Sequence, residues 1–126
     1  MAKNIIHTDK APGAIGPYSQ AVQTGNLLFV SGQVPIDPPT GNLVIGGIES
    51  ETHRVMKNIG AILEAAGYGY QHIVKSTLFI RSMDDFAKIN AVYASYFTGN
   101  YPARETVEVS GLPKDAAIEI SVIAAL

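Results

Sequence analysis

The chain has 126 residues, the length of one ordinary domain, so we expect a single domain over residues 1–126. Its net charge is −2 at neutral pH and its nine lysines and arginines are scattered, which argues against nucleic acid as a partner. The absence of cysteine excludes disulfides and thiol nucleophiles, and the apolar runs are too short for a membrane span or a secretory signal, so we expect a cytoplasmic protein.

The first part of the chain predicts short strands joined by turns. A strand is expected over residues 4–7, followed by a loop rich in Gly and Pro over residues 11–18. Residues 24–26, Thr-Gly-Asn, are typical of a hairpin turn between two strands. Residues 35–41 hold adjacent prolines, which withhold backbone donors, so this segment is predicted to be a turn at the surface.

A helix is predicted from Ser50, which can cap its start, to Gly67, which ends it. Apolar residues recur between them at helical spacing: Val55, Ile59, Ile62, Leu63 and Ala66. Gly60 lies inside this helix at a propensity cost of about 1 kcal/mol relative to Ala. We therefore expect the helix backbone at Gly60 to lie close against a sheet.

A strand over residues 73–81 leads to a second helix. Ser82 and Asp85 resemble a capping box, and an apolar stripe follows: Phe86, Ile89, Tyr93, Tyr96 and Phe97. Asn90 falls on this stripe. Because a buried amide must be satisfied, the residues alone favour a structural hydrogen bond from Asn90 to the backbone.

The last quarter carries two charged residues in strand-like segments. Residues 104–109 and 118–123 are rich in β-branched side chains and flank a turn, which predicts a hairpin. Glu119 lies between two isoleucines, and a carboxylate there needs solvent, a partner or a function. Arg104 is its nearest plausible partner, and together they could bind a small carboxylate and move a proton. The alternative is an ordinary ion pair on an exposed sheet face, with other partners available: Glu105, Glu108 and Lys114.

The predicted order of elements is one strand, two strands, a helix, a strand, a helix and two strands. This order indicates an α+β domain in which two helices pack on one face of a mixed sheet. The chain is 47% hydrophobic and only 16% charged, so we expect apolar surface to be buried between subunits.

Several motifs in the right order resemble the RidA (YjgF) family. They are GPYSQAV over residues 16–22, SGQVP over 31–35, PAR over 102–104, VEV over 107–109 and LPKDAAIEI over 112–120. The resemblance implies a chorismate-mutase-like fold, a homotrimer with a site in each cleft between subunits, and no cofactor. It also implies hydrolytic deamination of enamines and imines such as 2-aminoacrylate and 2-aminocrotonate to 2-keto acids and ammonia.

The resemblance assigns two catalytic residues. Arg104 would bind the substrate carboxylate through its planar guanidinium fork. Glu119 would hold the attacking water and shuttle a proton, and burial would raise its pKa toward the range useful at neutral pH.

The resemblance also assigns substrate-binding residues. Tyr18 would form an aromatic wall, Ser31 would line the pocket, and Asn90 would lie near the subunit cleft. The backbone amides of Gly32 and Thr106 would donate to the carboxylate. Several deaminase relatives have Cys where this chain has Thr106. The expected activity therefore requires that the backbone amide of residue 106 be sufficient without a cysteine side chain.

No metal site is predicted, because His7, His53 and His72 lack the spacing of converging ligands. Two other functions stay open. A non-catalytic module would bind small carboxylates with Arg104 but would not need Glu119. Some relatives are labelled endoribonuclease L-PSP or translation initiation inhibitor, and the scattered positive charge argues against that role.

Overall fold

The computed structural model describes residues 2–126. Within these residues the chain forms eight strands and two α-helices, joined by short 3-10 turns and loops. In chain order they are β1 (Asn4–Ile6), β2 (Ala21–Thr24), β3 (Leu27–Gln33), β4 (Ile36–Asp37), β5 (Asn42–Leu43), α1 (Ile48–Ala65), β6 (Ile73–Ile80), α2 (Phe86–Ala94), β7 (Ala103–Glu108) and β8 (Ile118–Ala125).

Six strands form one mixed sheet in the order β1-β2-β3-β8-β6-β7. Strands β6 and β7 are parallel and are joined through α2, whereas the other neighbouring strands are antiparallel. The predicted turn at residues 24–26 is confirmed, since β2 and β3 pair directly across it. The predicted turn segment at residues 35–41 contains β4, which pairs with β5 in a separate two-stranded ladder.

The predicted hairpin between the last two strands is wrong. Strand β6 lies between β7 and β8, pairing in parallel with β7 and antiparallel with β8. The connection from β6 through α2 is long enough for β7 to return and pair in parallel with β6. This pairing takes the place of the local hairpin between β7 and β8. Strand β7 is therefore at an edge of the sheet.

Both helices pack on one face of the sheet, as predicted for an α+β domain. Side chains of alternating strand residues and of one side of each helix form a single core, including Leu28, Val55, Ile59, Leu78, Ile89 and Ile120. Burying a Leu or Ile contributes roughly 1.5–3 kcal/mol relative to leaving it exposed. None of the helices within the described residues is long and apolar enough to cross a membrane.

Helix α1 differs from its prediction in two places. It begins at Ile48 behind Gly47, so Ser50 lies in the first turn and is not the cap. The nearest atoms to a Cβ built at Gly60 belong to Tyr70 and not to the sheet: the Cβ would lie 2.7 Å from Cζ of Tyr70, whose hydroxyl donates to the Met56 carbonyl. The end of the helix is as predicted, with Gly67 in a left-handed conformation at φ 83°.

The start of α2 is close to its prediction. The Ser82 hydroxyl accepts a hydrogen bond from the Asp84 backbone N–H at 3.2 Å and begins a 3-10 turn that leads into the helix. The helix ends at Ala94, earlier than the apolar stripe suggested.

The other face of the sheet has no helix over it and carries large apolar side chains. Register puts Val22, Phe29 and Ile123 side by side, and Val107 lies on the same face beside Phe79 of β6. Phe29 and Val107 are 42% and 43% exposed. This open face, defined by Val22, Phe29, Val107 and Ile123, is an apolar surface of the isolated chain.

Candidate functional site

A cavity of about 640 Å³ opens beside the loop that precedes β2. Its walls come from this loop, from β3 and the segment after it, from the turn before β8, and from β8 itself. Four of the predicted site residues line it: Tyr18, Ser31, Gly32 and Glu119. A cavity of this size is within the range that holds small organic ligands.

Glu119 is the acidic group of this cavity. It alternates with the buried Ile118 and Ile120 along β8, so its side chain lies on the face opposite the helices. Burial raises the pKa of the Glu119 carboxyl above its usual value of 4.5. Among residues 2–126 no side chain or backbone group forms a hydrogen bond or ion pair with this carboxylate. It is therefore free to bind water or a ligand.

Gly32 gives Glu119 its position. A Cβ at Gly32 would lie 2.5 Å from Oε2 and 2.7 Å from Cδ of Glu119, closer than any real contact allows. Strand β3 has a register shift between Val30 and Gln33, which places Gly32 in an irregular part of the ladder. The space that a side chain at Gly32 would fill is thus occupied by the Glu119 side chain.

Tyr18 and Ser31 lie at the rim and wall of the same cavity. The Ser31 hydroxyl donates to the Ser19 carbonyl at 2.6 Å, which ties β3 to the preceding loop. Tyr18 is 54% exposed, and its hydroxyl accepts a hydrogen bond from the Ile15 N–H at 3.4 Å. The aromatic ring is therefore available to a ligand at the cavity mouth.

Sequence reasoning missed the role of Gln20. Its side chain is buried, and its Oε1 accepts from the Thr8 N–H at 2.7 Å. Its Nε2 donates to the carbonyls of Thr8 at 3.0 Å and Pro12 at 2.8 Å. These bonds hold the loop that lines the cavity. The signal available in the sequence was the amide residue Gln20 directly before the apolar pair Ala21-Val22.

Arg104 lies in a second, smaller cavity of about 410 Å³ at the β7 edge. Its Nη1 donates to Oδ1 of Asn90 at 2.7 Å, and its guanidinium lies 5.6 Å from the Phe86 ring centre and 5.2 Å from that of Tyr93. The predicted backbone bond of Asn90 is wrong, because the amide oxygen faces the arginine instead. These contacts with α2 orient the guanidinium.

Thr106 follows Arg104 on the same face of β7. The register pairs Arg104 with Ser76 and Thr106 with Leu78, both buried under the helices. Oγ1 of Thr106 is buried and has no hydrogen-bond partner among residues 2–126. Such a hydroxyl is energetically unfavourable, so its presence calls for a physical reason.

Arg104 and Glu119 do not meet within the chain, which corrects the expected pairing. Arg104 lies on the face that packs against α2, whereas Glu119 lies on the open face. The alternative ion pairs are not formed either: Glu105 pairs with Lys75 at 3.2 Å, Glu108 accepts from the Met83 N–H, and within residues 2–126 no ion pair joins Lys114 to Glu119. The sequence-predicted site is thus divided between two cavities.

A family model described as Endoribonuclease L-PSP matches residues 8–126. The chain belongs to the Endoribonuclease L-PSP family. A RutC family protein of this family from Pyrococcus horikoshii is 56% identical, over 97% of both chains. The mouse protein named 2-iminobutanoate/2-iminopropanoate deaminase is 46% identical, over 98% of this chain and 92% of that one.

Solved structures similar to this chain have the same fold. The crystal structure of E. coli TdcF with bound serine superposes with a TM-score of 0.94 at 43% identity, covering 98% of each chain. The resemblance to the RidA (YjgF) family, and the α+β fold with two helices on a mixed sheet, are confirmed.

Proposed function

We propose that this chain hydrolyses reactive 2-imino acids, including those formed from 2-aminoacrylate and 2-aminocrotonate, to 2-keto acids and ammonia. The observation that carries the proposal is Glu119, a half-buried carboxylate with a raised pKa and no protein partner within residues 2–126, lining a cavity of suitable size. The name of the mouse relative supports the same chemistry.

The proposed reaction uses few protein groups. Arg104 binds the carboxylate of the substrate, and the backbone amides of Gly32 and Thr106 add donors. Glu119 takes a proton from water as the oxygen forms a bond to the imine carbon and the C=N bond becomes a single bond. Glu119 then returns the proton to nitrogen, which gives a carbinolamine. Glu119 next takes the hydroxyl proton and passes it to nitrogen as the C=O bond forms and the C–N bond breaks, so that the keto acid and ammonia leave. Because the imine carbon is already electrophilic, positioning and charge supply the rate enhancement.

We propose further that the protein is a homotrimer and that each site lies in a cleft between two copies. Within one chain the arginine and the glutamate lie on opposite faces of the sheet, so a site using both needs a second copy. The apolar open face supports such an assembly, since Phe29 and Val107 would be buried by a neighbour. Asn90 would keep Arg104 aimed at the neighbour's cavity.

The deaminase is favoured over the ribonuclease suggested by the family description. The net charge of −2 and the scattered cations do not form the positive surface that RNA binding needs. The serine in the TdcF structure is, like the proposed substrates, a small molecule whose carboxylate and nitrogen are attached to the same carbon.

The first experiment measures keto-acid and ammonia release when the purified protein is added to a threonine dehydratase generating 2-aminocrotonate. We expect faster release with the wild type, and loss of the acceleration in both Arg104→Ala and Glu119→Ala. Binding of 2-oxobutanoate should weaken in Arg104→Ala and persist in Glu119→Ala. A folded wild-type protein that binds the keto acid without accelerating release would identify a binding module instead.

The second experiment tests the shared site by mixing the two inactive variants after unfolding and refolding them together. In a closed trimer every mixed ring regains one complete site, so an equimolar mixture should recover about a quarter of the wild-type activity. If both residues acted within one chain, the mixture would stay inactive.

A further inference from the structure

Lys114 lines the same cavity as Glu119. Among the described residues these two supply the cavity's charged side chains, one cationic and one anionic. The remainder of the wall is polar or apolar, with Ile15, Ile36 and Pro113 forming its apolar part. The cavity wall therefore includes a lysine that the proposed hydrolysis does not use.

The ammonium group of Lys114 is not neutralised by Glu119. Its nearest hydrogen-bond acceptor is the Gly41 carbonyl, at 3.4 Å, and it forms no ion pair with residues 2–126. Burial, not a nearby cation, accounts for the changed pKa of Glu119. The two charges thus do not pair with each other, and the ammonium, which makes one hydrogen bond of 3.4 Å, keeps donors for an anion.

The backbone at Lys114 is held in an unusual conformation. Lys114 and Asp115 have φ of 56° and 58°, so two successive residues other than glycine are left-handed, at a cost of roughly 1–2 kcal/mol each. The Asp115 carboxylate accepts a hydrogen bond from Nη1 of Arg81 at 2.8 Å and fixes the turn. Such strain persists where neighbouring contacts enforce it, and it clusters at ligand sites.

We infer that Lys114 makes this protein act on 2-imino acids that carry a second carboxylate, such as 2-iminosuccinate and 2-iminoglutarate. The inference rests on the proposed hydrolase function and adds the substrate class. The α-carboxylate would bind Arg104 of a neighbouring copy, the imine carbon would face Glu119, and the distal carboxylate would bind the ammonium of Lys114. The volume of about 640 Å³ leaves room for these longer substrates beside the apolar wall.

The test compares kcat/KM for 2-iminosuccinate, generated by an aspartate oxidase, with kcat/KM for 2-iminobutanoate, generated by a threonine dehydratase. Loss of a charge-assisted hydrogen bond lowers affinity by roughly ten- to a hundredfold, so Lys114→Met should lower the ratio of the two values by at least tenfold. Lys114→Arg should restore most of the ratio. Lys57→Met, at an exposed position of α1, is the matched control and should leave both values unchanged.

Binding measurements separate this inference from the hydrolase proposal. Calorimetric titration with 2-oxoglutarate and 2-oxobutanoate should show tighter binding of the dicarboxylate, and Lys114→Met should abolish the difference. If the wild type hydrolyses neither imine but shows this preference, the hydrolase proposal fails and the distal carboxylate site stands. If Lys114→Met retains its melting temperature and leaves both the kinetic ratio and the binding preference unchanged, the inference is overturned.

Discussion

Replacing Gly32 by Ala should lower activity by moving the proposed catalytic carboxylate, Glu119, which is not itself mutated. The new Cβ would lie 2.5 Å from Oε2 of Glu119. Comfortable contact needs about 3.5 Å, so the carboxylate must move by about 1 Å. A displacement of that size can reduce a rate by about a hundredfold. The backbone of Gly32 is not left-handed, so alanine strains only the contact with Glu119.

Gly32→Ala should lose roughly 0–2.6 kcal/mol of stability, toward the lower end because the crowded group is the end of a flexible side chain. Overpacking costs about 1–3 kcal/mol, and the loss of glycine's freedom in the unfolded chain offsets about 0.4–1 kcal/mol. Gly13→Ala is the matched control, since Gly13 lines the same cavity and an added Cβ would meet nothing within 4 Å.

The assay is kcat/KM for 2-iminobutanoate hydrolysis, together with an NMR titration of the Glu119 carboxyl. We expect activity to fall about a hundredfold only in Gly32→Ala, with the carboxyl pKa moving toward its usual value as the group shifts into solvent. Full activity in a Gly32→Ala protein whose Glu119 titration has changed would refute the reasoning.

Three further substitutions test other parts of the structure. Since burial raises the pKa of Glu119, the folded chain holds this proton more tightly than the unfolded chain, and the ionised form lowers stability. Glu119→Gln should therefore raise the melting temperature at pH 7, and the gain should fade as the pH falls through the raised pKa and be nearly gone below 4.5. Thr106→Val removes a buried hydroxyl without a partner and should stabilise the fold by about 1 kcal/mol in urea unfolding; a destabilised variant would mean that the hydroxyl is satisfied. Gly60→Ala should destabilise by about 1–3 kcal/mol despite its better helix propensity, because the added Cβ collides with Tyr70, and Tyr70→Phe should relieve part of that loss.

Local patterns were sufficient to predict most elements but not the pairing of the last two strands. Alternation and β-branched residues indicate that residues 104–109 and 118–123 are strands, and nothing local reveals that β6 lies between them. The hairpin prediction failed because the parallel crossover through α2 determines where β7 lies. Gly60 shows the same limit, since its neighbour Tyr70 follows the helix and was not part of the helical pattern.

The site could be predicted residue by residue but not as an arrangement. The motifs identified Arg104 and Glu119, and the alternation Ile118-Glu119-Ile120 showed that the carboxylate leaves the core. The face on which each charge lies depends on strand order and register, which no local pattern contains. Asn90 was noticed as a polar residue on an apolar stripe, and only the fold shows that its partner is Arg104.

The division of Arg104 and Glu119 between the two faces of one sheet has a consequence for enzymology. If turnover needs both residues, a dissociated copy has no activity at all, and dilution that separates the copies should lower the specific activity. Specific activity would then rise with protein concentration and level off once the copies are fully associated. Substrate, by bridging two chains, would hold them together and move that transition to lower concentration.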